Sequence, residues 1–348
     1  MAPTAQSEIT NPAATQLNAL LDKAAIFPLN ETGWIRATGE DRVRWLNGMV
    51  TNSIQDLKPG KGSYSFVLSV QGRIQGDAYI YAEPDALLLE TASAQVPGLM
   101  ALLDRFIIMD DVELSDVSAT RSGLSIAGPE AAALLAKLGL NVEHLAPLDL
   151  QTTEWNSTPV TIIHAHSPLV PRFELWADTA TIASLSQALL AAGAVTTAPE
   201  SLEYLRILEG TPLYGKDIRD RELPQETAQA RALHFNKGCY LGQEIVERIR
   251  SRGNVHRTFS AFRLEGDLPP AGSMLEAEGK QIGELTSTAS IPLPSNPVQL
   301  ALGYARREAL DRGLPLTYSG GIAIPIAIPF SPAEAPGQSP ASESPERA

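Results

Sequence analysis

The stretch GSYSFVLSVQGRIQGDAYIYAEPDALLLE, residues 62–90, holds three runs of strand-forming residues separated by two turn signals, Gln71-Gly72 and Glu83-Pro84-Asp85. Turns this short return the chain beside itself, so the segment predicts antiparallel hairpins and not the long crossovers of a parallel sheet. Before it, DRVRWLNGMVTNSIQDL (41–57) spaces Val43, Leu46 and Val50 along one helix face and then gives way to polar residues. After it come a helix near 96–106 and the strand-like IIMDDVELSDV (107–117). A looser second round follows. GLSIAG is strand-like, Pro129 predicts the first turn of a helix running to Leu138, PVTIIHAH and RFELWAD predict a strand pair, and TIASLSQALLAAG predicts a helix stopped by Gly193. Strands and helices in this mixed order, joined by hairpins, indicate an α+β fold.

From about residue 256 helix signals mostly vanish, and strand-length runs alternate with Pro, Gly and Asn turns as far as Phe330. A separate small β-barrel or sandwich is expected there. The expected divisions are a flexible lead-in with a short helix over 1–25, an α+β region over 26–255, the barrel over 256–330 and a disordered tail over 331–348. The tail, SPAEAPGQSPASESPERA, offers too little apolar surface to pack.

At 348 residues the chain exceeds one ordinary core, and two or three packed units are expected. A net charge of −13 argues against a wide nucleic-acid footprint. The single cysteine excludes an internal disulfide and cannot alone hold a structural zinc or an iron–sulfur cluster. His164 and His166 alternate along an expected strand, with no acidic or cysteine partner nearby in sequence. The longest apolar run, GGIAIPIAIPF (320–330), is short and broken by proline, and the N-terminus has neither a basic start nor an apolar core. A cytoplasmic protein without a membrane span is therefore the expectation. No G-x-x-x-x-G-K-[ST], G-x-G-x-x-G, His-Glu-x-x-His or Cys-x-x-Cys motif occurs.

The chemistry-bearing stretch is HFNKGCYLGQE (234–244), which contains the lone Cys239. Lys237 beside it and a helix beginning just after it are features that depress a thiol pKa. Gly238 and Gly242 permit positive φ or close backbone approach. Gln243 and Glu244 offer an amide and a carboxylate suited to a heterocycle's ring nitrogens and amino group. Between Arg231 and Arg257 six Lys or Arg face two acids, a local +4 that suits an anionic tail. The same residues also read as a small buried cysteine and a solvated Glu244–Arg248 pair.

KGCYLGQE (237–244) strongly resembles the signature Lys-Gly-Cys-Tyr/Phe-x-Gly-Gln-Glu of the YgfZ family, folate-binding relatives of the glycine-cleavage aminomethyltransferase GcvT, and matches all seven specified positions. WLNGMVTNSIQDLKPG, SYSFVLSVQGRIQGDAYIY, LDRFIIMDDVEL, LRILEGTPLYGKDI and LPQE resemble further family segments in the expected order, so the likeness spans roughly residues 30–330. It implies a GcvT-like ring of two mixed α+β domains and a C-terminal β-barrel, with tetrahydrofolate or a folate derivative held by the α+β domains. It implies that Cys239 is the functional thiol, that Tyr64 and Asp77 line the folate pocket, and that Arg206, Lys237, Gly238, Tyr240, Gly242, Gln243 and Glu244 belong to the binding region. The implied partners are iron–sulfur enzymes or their assembly proteins, including the radical enzyme that methylthiolates tRNA.

Three departures stand out: Ser53 replaces a usual Asp, Gly76 replaces the first member of an Asp-Asp pair, and Leu208 stands where the aminomethyltransferases place an acid, with Glu209 one residue later. One helical residue rotates a side chain by about 100°, so Glu209 is not expected to replace that acid. The sequence therefore favours a folate-binding accessory of iron–sulfur metabolism. A tetrahydrofolate-dependent aminomethyl or one-carbon transferase is the alternative, and an RNA-binding module reading the 231–257 patch is a third.

Overall fold

In the computed structural model residues 11–253, 255–294 and 296–331 are described. The chain opens with α1 (Pro12–Asp22) and β1 (Ala25–Pro28), then builds β2 (Thr32–Thr38), α2 (Arg42–Asn47), β3 (Gly62–Leu68), β4 (Ile74–Ala82), β5 (Leu87–Ala92), α3 (Val96–Asp104) and β6 (Glu113–Asp116). A second round supplies β7 (Ser122–Ala127), α4 (Ala131–Lys137), β8 (Leu150–Trp155), β9 (Thr158–His164), β10 (Arg172–Ala177), α5 (Thr179–Ala192), β11 (Val195–Thr196), α6 (Pro199–Glu209) and α7 (Gln243–Arg252). The remainder is β12 (Arg257–Gly266), β13 (Met274–Ala277), β14 (Lys280–Ile291), β15 (Val298–Arg306), α8 (Arg307–Asp311), β16 (Leu316–Tyr318) and β17 (Gly321–Ile326).

The two turns in the opening stretch behave as read. Gly72 takes φ +72°, a conformation open to glycine, and its N–H bonds the Ser69 carbonyl at 2.9 Å to close the β3–β4 hairpin. Strands β2 to β6 form an antiparallel sheet in the order β3-β4-β5-β2-β6. The second sheet runs β11-β1-β7-β10-β9-β8. Strand β1 is separated from its partner β7 by the whole of the first sheet, so the two α+β units are interlaced along the chain. Strands β12 to β17 close a six-stranded barrel in the order β12-β15-β14-β13-β16-β17. The expected α+β class and C-terminal barrel are what the structure has.

Local readings needed correction in four places. The short helix expected in the lead-in is α1, but it is packed rather than flexible: Asn11 caps it by accepting from the Ala13 N–H at 3.0 Å, and Leu17 and Leu20 are fully buried. Helix α2 stops at Asn47, whose side chain accepts from the Ile54 N–H, and Val50 instead bridges to Val67. Only Glu113–Asp116 of the 107–117 run is strand, because Asp110 and Asp111 turn back to bond Arg44 and the Asp41 and Glu40 region. Pro129 precedes the N-cap Glu130 of α4 and does not form its first turn. The expected tail falls, except for Ser331, outside the described residues, as do residues 1–10 of the lead-in.

One hydrophobic cluster joins all three units. It takes Trp34, Tyr81 and Leu88 from the first sheet, Phe27, Ile163 and Trp176 from the second, and Phe259, Ile291 and Tyr304 from the barrel, with α1 and α6 between them. Trp176 meets Trp34 and Tyr81 edge-on at 5.6 and 5.5 Å, contacts worth roughly 0.5–1.5 kcal/mol each beyond area burial. A polar knot lies alongside. The fully buried Asp217 accepts from Arg206 (Nη1, 2.6 Å), the Leu213 N–H (3.0 Å), and the Thr286 and Ser287 hydroxyls of the barrel. Removing one partner of a buried ion pair leaves an uncompensated charge, which costs about 3–5 kcal/mol. Asp217→Ala is expected to lose that much in urea denaturation, and a loss below about 1 kcal/mol would show that the barrel docks without this knot.

Candidate functional site

The strand registers build one wall of a cavity. Tyr64 pairs with Tyr79, Tyr79 with Glu90, and Glu90 with Trp34, so the four side chains form a row across β3, β4, β5 and β2. Asp77 precedes Tyr79 by two residues and shares its face. The cavity, of about 310 Å³, is lined by Tyr64, Asp77, Tyr79, Glu90, Tyr214 and Arg231 among others. The Tyr64 hydroxyl donates to Asp77 Oδ2 at 2.6 Å, and Gln95 Nε2 donates to Oδ1 at 2.9 Å. Burial raises the Asp77 pKa, and those two donors together with the Arg231 charge pull the other way. Arg231 lies 4.0 Å over the Tyr64 ring and donates to the Tyr79 hydroxyl at 3.2 Å.

Behind this wall the two sheets bring acids together. Glu174 of β10 is 2% exposed, pairs with Arg172 and accepts from Trp176 Nε1 at 3.1 Å. Burial, followed by the neighbouring Glu174, holds the Glu90 carboxyl well above the usual carboxylate range. The cavity thus presents an aromatic slot, a twice hydrogen-bonded acid and a second, buried acid in Glu90. Such a set suits a flat, amino-bearing heterocycle, which stacks on tyrosine and donates to carboxyl oxygens.

A second cavity of about 280 Å³ adjoins the first and is lined by His166, Glu209, Thr211 and Arg231 among others. Glu209 accepts here from the Ser167 hydroxyl and from the Leu169 N–H at 3.4 Å, so the displaced helix acid does not enter the tyrosine slot, while Leu208 is buried in the central cluster. Gly76 also has a packing reason. A Cβ there would sit 2.5 Å from Leu99 Cδ2 and 3.0 Å from Oε1 of Gln95, the residue that donates to Asp77, so the packing leaves no room for a larger side chain at 76. A larger cleft of about 1260 Å³ flanks the barrel, but its Arg221, Arg257, Glu226 and Glu284 are engaged in ion pairs.

The signature segment divides. Cys239 is exposed on the loop before α7. Lys237 spends its ammonium on the carbonyls of Asn47, Val50 and Asn52 at 2.6–2.8 Å. Burial lowers its pKa to about 8, against which those three acceptors favour the charged form. Tyr240 is buried with Phe66, Leu68 and Val246. Gly242 takes φ +79°, and a Cβ on it would fall 2.6 Å from the Ser69 carbonyl oxygen, whereas Gly238 faces open space. Gln243 accepts from the Tyr240 N–H at 3.3 Å, and Glu244 pairs with Arg248 at 2.7 Å in solvent.

Of the residues expected to bind, Tyr64 and Asp77 line the first cavity. Lys237, Gly238, Tyr240 and Gly242 lie on the loop before α7, Gln243 and Glu244 open that helix, and none of the six lines the cavity; Arg206 serves the barrel knot through Glu203, Asp217 and Ser287. Tyr79, Glu90 and Arg231 were not singled out from sequence. The two-residue step from Asp77 to Tyr79 was the available signal, whereas Glu90 and Arg231 reach the pocket only through pairing and chain return. His164 and His166 do not share a strand face, since β9 ends at His164, which bonds the Leu145 carbonyl at 2.8 Å, and His166 lies in the second cavity.

His166 carries a pH signature. Burial, then the charges of Arg231 and Arg172, lowers its pKa from 6.5 to about 4. Between those values the unfolded chain binds a proton that the folded chain refuses, so this contribution is whole above pH 6.5 and lost as pH falls toward 4. Raised carboxyls such as Asp77 and Glu209 act in the opposite sense. The comparison with His166→Gln isolates the effect: urea midpoints at pH 7.5 and 4.5 should fall further for wild type than for the variant. Equal falls would exclude a neutral, desolvated His166.

The model of the GCVT N-terminal domain family matches residues 4–237. An aminomethyltransferase of Geobacillus kaustophilus is 26% identical over 87% of this chain and 85% of its own length. A protein of Arabidopsis thaliana carrying the provisional name of a chloroplastic transferase is 25% identical over 90% of this chain and 73% of its own. Among solved structures, the aminomethyltransferase T of the glycine cleavage system from Bartonella henselae superposes with a TM-score of 0.81 at 21% identity, covering 92% of this chain and 90% of that one. No helix among the described residues is long and apolar enough to cross a membrane. With the family model matching two thirds of the sequence and the fold shared from α1 to the barrel, the chain belongs to the GCVT N-terminal domain family.

Proposed function

We propose that this protein binds a reduced folate, its pterin ring in the Tyr64–Tyr79 slot against Asp77, and acts as an accessory of iron–sulfur enzymes through Cys239. The observation that carries the reading is the pocket: an aromatic slot beside a buried acid held by Tyr64 and Gln95 in a family that includes aminomethyltransferases. A pterin offers a flat face for the tyrosines and ring N–H and amino donors for a carboxylate.

Accessory work is favoured over group transfer by Leu208 and Glu209. Managing protons during aminomethyl transfer requires an acid within reach of the reacting nitrogen. Position 208 is apolar and buried, and Glu209 is committed to Ser167 and the Leu169 N–H outside the slot. The exposed Cys239, on a loop braced by Lys237, is available to a protein partner. The names of the relatives favour a second reading, a tetrahydrofolate-dependent one-carbon transferase. Turnover of methylene-tetrahydrofolate with an aminomethyl donor would select it.

Two measurements test the proposal. Calorimetric titration with 5-formyl-tetrahydrofolate should give binding that Asp77→Ala weakens by about tenfold or more, the loss of a hydrogen bond to a charged group. A strain lacking the gene, scored for methylthiolated tRNA and for one iron–sulfur enzyme, should be rescued by wild type and not by Cys239→Ala. Equal rescue would reduce the cysteine to a bystander, and an undisturbed deletion strain would overturn the iron–sulfur role.

A further inference from the structure

Arg231 is placed as a ligand would be. Among the described residues only Arg231 and Thr211 line both cavities, so the arginine side chain is part of the partition between them. Its planar guanidinium lies 4.0 Å over Tyr64 and 5.5 Å from Tyr79, with Nη1 on the Tyr79 hydroxyl and Nε on Gln229 Oε1. Among the described residues it has no carboxylate within ion-pair distance. A flat, amino-bearing cation stacked in this slot, within the field of Asp77, takes the position that a heterocycle needs.

The main chain around Arg231 is tied to a segment that also holds the cysteine loop. Asn52 Nδ2 donates to the carbonyl of Arg231 at 2.8 Å and to that of Tyr64 at 3.1 Å. The Thr51 hydroxyl donates to the Ala232 carbonyl, and the His234 N–H donates to the Thr51 carbonyl. From the other side Lys237 Nζ grips the carbonyls of Asn47, Val50 and Asn52, and the Leu241 N–H bonds the Gly48 carbonyl. Residues 47–52 are therefore shared by the pocket wall and by the loop bearing Cys239.

We propose that a ligand entering the slot displaces the Arg231 side chain, joins the two cavities, and through residues 47–52 loosens the Cys239 loop, so that occupancy of the pocket sets the reactivity of the thiol. The inference rests on the folate reading above. The device is a gate coupled to a remote group: the ligand stabilises the arrangement in which Arg231 has left, and the shared hydrogen bonds carry the change.

The test is the rate of Cys239 alkylation by iodoacetamide on the full chain, with and without saturating 5-formyl-tetrahydrofolate, binding being followed separately by calorimetry. Ligand should raise the rate by about fivefold, a typical size for coupled sites. Arg231→Ala should already alkylate faster than wild type without ligand, because the gate is gone. Asn52→Ala and Lys237→Met should bind the ligand and lose the acceleration, and having two variants guards against one that fails to fold. A ratio of unity or below with ligand bound overturns the coupling and leaves the pocket standing. Acceleration preserved in both link variants overturns the route through residues 47–52. Failure to bind removes the folate reading and the ligand-driven step together, while a slow Arg231→Ala thiol overturns the gate on its own.

Discussion

The carboxylate of Asp217 is the constraint on which the rest of the molecule leans. It is fully buried, and a buried anion is tolerated only when every oxygen is matched by donors. Arg206 comes from α6, the Leu213 N–H from the turn after it, and Thr286 and Ser287 from the barrel. Satisfying one side chain therefore ties α6 and the turn after it to a barrel strand 69 and 70 residues further along the chain. The same Arg206 bonds the Thr211 carbonyl at 2.7 Å. Thr211 through Tyr214 line the first cavity, so the knot that seats the barrel also shapes the pocket.

The pocket depends equally on the interlacing of the two sheets. Because β1 is laid down before the first sheet and pairs after it, the faces of β4–β5 and β10 are brought opposite one another. Trp34, Tyr81 and Trp176 fill that interface, and Glu90 and Glu174 meet within it. Burial and the neighbouring Glu174 both push the Glu90 carboxyl upward, while the Arg172 charge pulls the other way.

The signature segment illustrates how a motif divides between support and exposure. Lys237, Tyr240 and Gly242 do structural work: three carbonyls are gathered by one ammonium, an aromatic ring fills the small core around Phe66, and a glycine admits the Ser69 carbonyl. Cys239 and Glu244 project from that frame into solvent. The lysine's proximity to the cysteine in sequence suggested a thiolate partner, whereas its ammonium turns inward to backbone acceptors. Sequence adjacency reports separation along the chain, and a four-carbon stem with three donors reaches whichever acceptors the fold supplies.

What the sequence by itself determined is the local pattern. The Gln71-Gly72 and Glu83-Pro84-Asp85 turns, the Gly193 stop and the loss of helical spacing after 256 encode hairpins, caps and a barrel, because those signals act within a few residues. A family likeness singles out Tyr64 and Asp77, which line the first cavity, and element order gives the α+β class. Tertiary structure alone decided the rest. It made the Asn11-capped α1 a core helix, cut α2 at Asn47, sent Arg206 to the barrel and set Arg231 on Tyr64. It also turned Glu209 from the slot into the neighbouring cavity, and gave Gly76 its reason in Leu99. Apart from the Asn11 cap and the Asn47 stop, these outcomes turn on partners more than a dozen residues away. Burial and hydrogen-bond satisfaction are properties of the assembled surfaces, and no window along the chain contains both halves of such a contact.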